Sequence, residues 1–80
     1  MIICMTLLRE NDEEAVYAFG DTPEGQNGIF RIHKLDVNQS GVITMPAETT
    51  LTPGDVKRGM VKIIRMARGG KYPKEAVRAE

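Results

Sequence analysis

The sequence predicts an α+β fold: an antiparallel β-sheet of three to four strands in a meander, packed by one long C-terminal amphipathic helix. Three observations carry this. Short apolar runs with two-residue alternation fill the first half of the chain and are separated by polar, glycine-containing turns. A capped stretch of helical periodicity follows them. The whole chain is 80 residues, which is room for one domain spanning residues 1–80 and no second.

The first strand is predicted over residues 2–9, where β-branched and apolar side chains dominate up to Arg9 and Glu10. Alternation puts Ile2, Cys4 and Leu8 on one face and Ile3, Met5 and Leu7 on the other. Asn11 to Glu14 is a polar turn, and Ala15 to Gly20 resumes the pattern with Tyr17 and Phe19 on one face, so the two strands read as a hairpin. Asp21 to Gly28, with Pro23 and Gly25, is a loop. A third strand is expected from Ile29 to Asp36, with Phe30 and Ile32 on one side and Arg31 and His33 on the other. Asn38 to Gly41 forms the next turn, and Val42 to Met45 a fourth strand stopped by Pro46.

The helix start is the clearest local signal. Thr52 is a good N-cap, Pro53 suits the first helical position, and Asp55 lies three residues beyond the cap at the positive dipole end. Val56, Met60, Ile63, Ile64 and Ala67 fall within one arc of about 100°, the stripe of a core-facing helix. Gly69 and Gly70 supply a C-cap. Tyr72 and Pro73 then break the chain, and residues 74–80 are expected to form a short helical turn or to fray.

A chain of this size buries only about 60–65% of its unfolded surface, so it needs a well-packed core or a partner. Cys4 is the only cysteine, which rules out an internal disulfide and fits a reducing, cytoplasmic setting. Cys4 and His33 are too few soft ligands for structural zinc. The apolar N-terminus lacks the basic flank and cleavage site of a signal peptide, and is shorter than the ~20 residues that span a bilayer. No membrane partner is expected, since a surface-lying helix would want a Trp and a broader apolar face.

The net charge is zero but polarised: residues 1–54 carry eight acids against three bases, and residues 55–80 carry eight bases against three acids. Lys57, Arg58, Lys62, Arg65 and Arg68 lie on the outer arc of the 53–69 helix, with Val61 at its edge. That arc is the candidate nucleic-acid surface, because phosphate contacts release counterions. The bland alternative is a solvated face, or one that pairs with the protein's own acidic turns. Few aromatic residues (Tyr17, Phe19, Phe30, Tyr72) argue against a base-stacking platform.

Asp36 to Ile43 matches the first half of a calcium loop, with oxygen ligands at its first, third and fifth positions and Gly41 at its sixth. The bidentate glutamate required at the twelfth is Ala47, so a self-bonded turn is the better reading. His33 has no orienting acid at recognisable spacing, and Cys4 lies in an apolar run that makes a thiol inert. Asn38 to Ser40 is formally a glycosylation sequon, without meaning unless the chain is secreted. No phosphate-cradling glycine spacing occurs. No enzyme activity, cofactor, metal or small-molecule ligand is expected.

Tyr17-Ala18-Phe19, Gly28-Ile29-Phe30-Arg31-Ile32, the return strand Val42-Ile43-Thr44, a helix, and Gly70-Lys71-Tyr72-Pro73-Lys74-Glu75 together resemble a group of short uncharacterised bacterial proteins. That group shares a glycine-led apolar strand, a β-hairpin and a helix closed by a Gly-x-aromatic-Pro turn. The resemblance spans about residues 16–78 and departs at Val77 to Glu80, where the group's aromatic tail is missing. It implies a β-hairpin-plus-helix fold and a bacterial or phage origin, and implies no activity.

The function expected from these residues is a small non-catalytic protein-interaction module that docks on a protein partner or on itself as a homodimer, through a sheet edge or the sheet's uncovered face. Ile2, Cys4 and Leu8 on the uncovered face of the first strand are its candidate interface. Nucleic-acid binding through the basic helix face is the alternative.

Overall fold

The computed structural model describes residues 2–79; Met1, at the head of the apolar run, and Glu80, at the end of the tail, lie outside the described residues. Four strands run as a meander, β1 (Ile2–Glu10), β2 (Glu14–Gly20), β3 (Gly28–His33) and β4 (Gly41–Thr44). They are followed by α1 (Pro53–Met66) and β5 (Glu75–Ala79). The result is one antiparallel five-stranded sheet in the order β4-β3-β2-β1-β5, with α1 on one face.

The fifth strand corrects the expectation for the tail. Glu, Ala and Arg are good helix formers, so local propensity points to a helical turn at residues 74–80. What overrides it is nonlocal: β1 is an open edge, and β5 pairs with it from Ile2–Ala79 to Thr6–Glu75. The pairing is anchored where the chain enters. The Tyr17 hydroxyl donates to the Pro73 carbonyl at 2.6 Å, and the Leu7 amide donates to the Lys74 carbonyl at 2.8 Å. The helix is therefore not the last element, and the sheet has five strands where three to four were expected.

The turns explain the other strand ends. Asn11 Oδ1 accepts from the amides of Glu13 and Glu14, closing the first hairpin. β3 stops at His33, three residues before the expected Asp36, because the side chains after it satisfy the backbone locally. Ser40 Oγ accepts from the His33 amide, and His33 Nδ1 from the Asp36 amide. The Asp36 carboxylate accepts from the Asn38 amide and the Gln39 side chain, so the calcium-like segment is a one-turn 3-10 helix at Val37–Gln39 that bonds to itself.

Alternation delivers the core to one side of the sheet. Ile3, Met5, Tyr17, Phe19, Phe30 and Ile32 are all at 1% exposure or less and meet Val56, Met60 and Ile63 of α1. Phe30 lies between two rings, 5.4 Å from Tyr17 and 5.6 Å from Phe19. Such pairs add about 0.5–1.5 kcal/mol to their burial. The buried face of α1 is centred on Val56 and Ile63 and extends on one side to Gly59, which lies outside the expected stripe, while Ile64 and Ala67 are only half-buried at its other margin. A Cβ on residue 59 would sit 3.0 Å from Ile3 Cδ1 and 3.1 Å from Met5 Sδ. Glycine is what lets the helix settle on β1.

Thr52 and Asp55 form a reciprocal capping box, and Gly70 closes the helical segment with φ of 96°. The segment before the cap is tied down by Asp21, whose carboxylate accepts from the Thr49 hydroxyl and from the amide and hydroxyl of Thr50. These donors, Thr49 first, hold the Asp21 carboxyl below its ordinary 3.8. The Thr52 amide chiefly does the same for Asp55. In the unfolded chain both acids take up their protons at the higher, ordinary value. The stability that these two contribute is thus fully present above about pH 4 and is lost as pH falls through their depressed folded values. Urea unfolding between pH 7 and 2 should show a decline confined to the acid limb, and Asp21→Asn should make that decline shallower.

Candidate functional site

Three surfaces compete as the contact site: the sheet edges, the outer sheet face and the outer side of α1. Both edges are blunted. β4 has four residues, and its register with β3 shifts between Ile29 and Phe30. Along β5 the Leu7–Lys74 hydrogen bond sets the alternation, so Val77 turns its amide and carbonyl away from β1, towards the free edge. Lys62 Nζ donates to that Val77 carbonyl at 2.6 Å. A lysine over an outward carbonyl is a barrier to strand addition.

On the outer sheet face, Ile2 and Leu8 are 51% and 54% exposed, and Leu8 sits where a bulge shifts the β1–β2 register between Leu7 and Arg9. Cys4, expected beside them, is buried at 5%. It lies with Thr6, Pro23, Gln26 and Val77, because the loop after β2 folds back over it. Burial raises the Cys4 thiol above its ordinary range, with Glu24 and Asp21 adding to the effect. Val16, also on this face, is buried between Arg9 and Arg31, which both pair with Glu14 at 3.1 Å and 3.4 Å. Ile2 and Leu8 are therefore separate exposed points with no continuous patch between them.

Along α1 and the 3-10 turn that continues it at Ala67–Gly69, four of the five candidate cations remain outward. Lys57, Arg58, Arg65 and Arg68 are exposed, whereas Lys62 is half-buried and engaged with β5. Arg58 pairs with Asp55 at 3.7 Å. Among the described residues the acidic turns form ion pairs with Arg9, Arg31 and Lys34. Among the described residues Lys57, Arg65 and Arg68 have no ion pair. The structure adds one cation that helix periodicity does not reveal. Arg78, on the helix-facing side of β5, lines a shallow depression of about 400 Å³ with Lys57, Arg58, Val61 and Arg65.

Beside this basic strip lies an apolar groove. α1 packs over β1, β3 and β5 and leaves the edge strand β4 uncovered, which opens a trough of about 400 Å³ between helix and edge. Val37 and Val42 line one wall, and Pro53, Met60, Val61 and Ile64 the other, with Lys57 at the rim. Val37, Val42 and Val61 are 46%, 40% and 36% exposed. The signal in the sequence is Val61, an apolar residue interrupting the basic arc, but the facing wall comes from another element and cannot be read locally.

Among the described residues no three His, Cys, Asp or Glu side chains come together to hold a metal ion, and no helix is long and apolar enough to cross a membrane. No protein-family model, curated protein or solved structure matches the chain. The resemblance to short bacterial proteins rests on the residues quoted for it alone.

Proposed function

We propose that this protein is a small non-catalytic interaction module that self-associates, with the groove between α1 and β4 as its contact surface. The observation that carries the reading is the exposed apolar lining of that groove. Val37, Val42 and Val61 hold one continuous concavity at the β4 flank of the sheet, which α1 leaves open. Grouped apolar exposure beside a groove marks contact surfaces, unlike single exposed side chains. The blunted edges support a face-mediated contact over strand addition.

A dilution series followed by methyl NMR tests this. The resonances of Val37, Val42, Val61 and Ile64 should move with protein concentration, while those of the buried Val56 and Ile63 stay fixed. Methyl spectra identical from micromolar to millimolar protein would remove self-association as the reading.

A second reading, nucleic-acid binding, is supported by one specific observation, the convergence of Arg78 with Lys57, Arg58 and Arg65. Anisotropy titrations with labelled duplex DNA, single-stranded DNA and RNA should then show binding that weakens steeply with salt and disappears in Lys57→Glu with Arg65→Glu. Absence of binding at low salt would eliminate it.

A further inference from the structure

We propose that the occupant of the groove is the β1–β2 hairpin tip of a second copy of this chain, entering with Leu8 and held by Asp12 and Glu13. The inference rests on the self-association reading above and names the surface that fills the groove.

The charge pattern along the groove points to its occupant. Lys57, Val61, Ile64 and Arg68 are spaced four, three and four residues apart, which stacks them in one row along the helical segment. Two exposed cations thus bracket two apolar side chains. A matching partner would bring an apolar side chain flanked by acids that are not already engaged.

The chain itself carries such a segment. Leu8 is 54% exposed at the β1 bulge, and the exposed tip that follows contains four acids between Glu10 and Glu14. Glu10 is engaged by Lys34, and Glu14 by Arg9 and Arg31. Asp12 and Glu13 have no ion pair among the described residues. Lys57 at the groove's rim, the two apolar side chains in its wall and Arg68 one turn beyond it thus meet apolar and acid on the tip. The same match accounts for the polarised charge of a chain whose net charge is zero. Like-charged copies would repel, whereas opposite surfaces on one chain attract their counterparts on the next.

Tip and groove are different surfaces, so two copies can exchange one such contact or two. Made reciprocally it closes a twofold dimer, and made in one direction it propagates a chain of copies. The flanking charges are exposed, so salt weakens their attraction within a Debye length of about 8 Å at physiological ionic strength. The Leu8 contact does not share that dependence.

A charge exchange tests the assignment, read by sedimentation velocity, with circular dichroism verifying that each variant is folded. D12K/E13K should weaken association at least about tenfold, because a basic tip meets a basic groove. K57E/R68E should do the same with both surfaces acidic. Mixed in equal amounts, the two variants should associate again, since each basic surface then finds an acidic one. Leu8→Ala, which keeps every charge, should weaken assembly without altering its salt dependence. Two unmixed variants that assemble like the unmodified chain, or a mixture that stays monomeric, would overturn the assignment. If assembly is lost in Val61→Asp and unaffected by D12K/E13K, the groove reading stands and this occupant is wrong. An unmodified chain that is monomeric throughout removes both.

Discussion

Phe30→Ala is expected to destabilise the protein by about 3–5 kcal/mol. Phe30 has no solvent exposure and is flanked by Tyr17 and Phe19 at 5.4 Å and 5.6 Å, so truncation removes ring contacts on both sides and leaves a cavity in the core. A chain of 80 residues has roughly 4–12 kcal/mol of total stability, so the loss is a large share of it. Urea or thermal unfolding measures the effect, with Ile43→Ala as the comparison. Ile43 is 59% exposed, and its truncation should stay within about 0.5 kcal/mol. A Phe30→Ala loss under about 1 kcal/mol would mean that the sheet and helix do not pack through this residue.

Gly20→Ala is the second large effect, and it acts through the backbone. A Cβ at residue 20 would overlap the Gly25 carbonyl oxygen and lie 2.9 Å from Gln26 Cα. Those atoms belong to the loop that folds back over β1, so no side-chain rotation relieves the clash. Overpacking of this kind costs about 1–3 kcal/mol, at times more. The loop is expected to lift, and because Pro23 and Gln26 line the space beside Cys4, its thiol should become reachable. Cys4 should thus react with a maleimide much faster in Gly20→Ala than in the unmodified protein, at the same fraction folded. Equal rates would show that the loop does not depend on glycine at this position.

These two residues illustrate what the sequence discloses and what it hides. Phe30 is legible because two-residue alternation puts it on the same side as Ile32 and because its hairpin partners are set by turn chemistry. The N-terminus of α1 is legible for the same local reason, since Thr52, Pro53 and Asp55 act within one turn. Gly20 and Gly59 are readable only as breaks, because the atoms that require a glycine belong to Gly25, Gln26, Ile3 and Met5. β5 was hidden more thoroughly. Its residues prefer helix, and the hydrogen bonds that make it a strand come from β1, more than 60 residues away in sequence.

The candidate surface divides along the same line. The basic arc of α1 follows from helical periodicity, and Lys57, Arg58, Arg65 and Arg68 do lie outward. Lys62 leaves that arc because a β5 carbonyl lies within its reach, and Arg78 joins it because β5 runs beside the helix. The groove depends on β4 lying beyond the helix's cover, a property of sheet width that no local pattern encodes. Alternation alone puts Cys4 on the uncovered face of β1, and what buries it there is the loop after β2.

Sedimentation equilibrium of the unmodified chain, from micromolar to near-millimolar concentration at low and moderate salt, tests self-association most directly. The weight-average mass should rise above the 8.9 kDa of one chain as concentration increases and fall back as salt is added. A mass of 8.9 kDa at every concentration and salt would contradict the account.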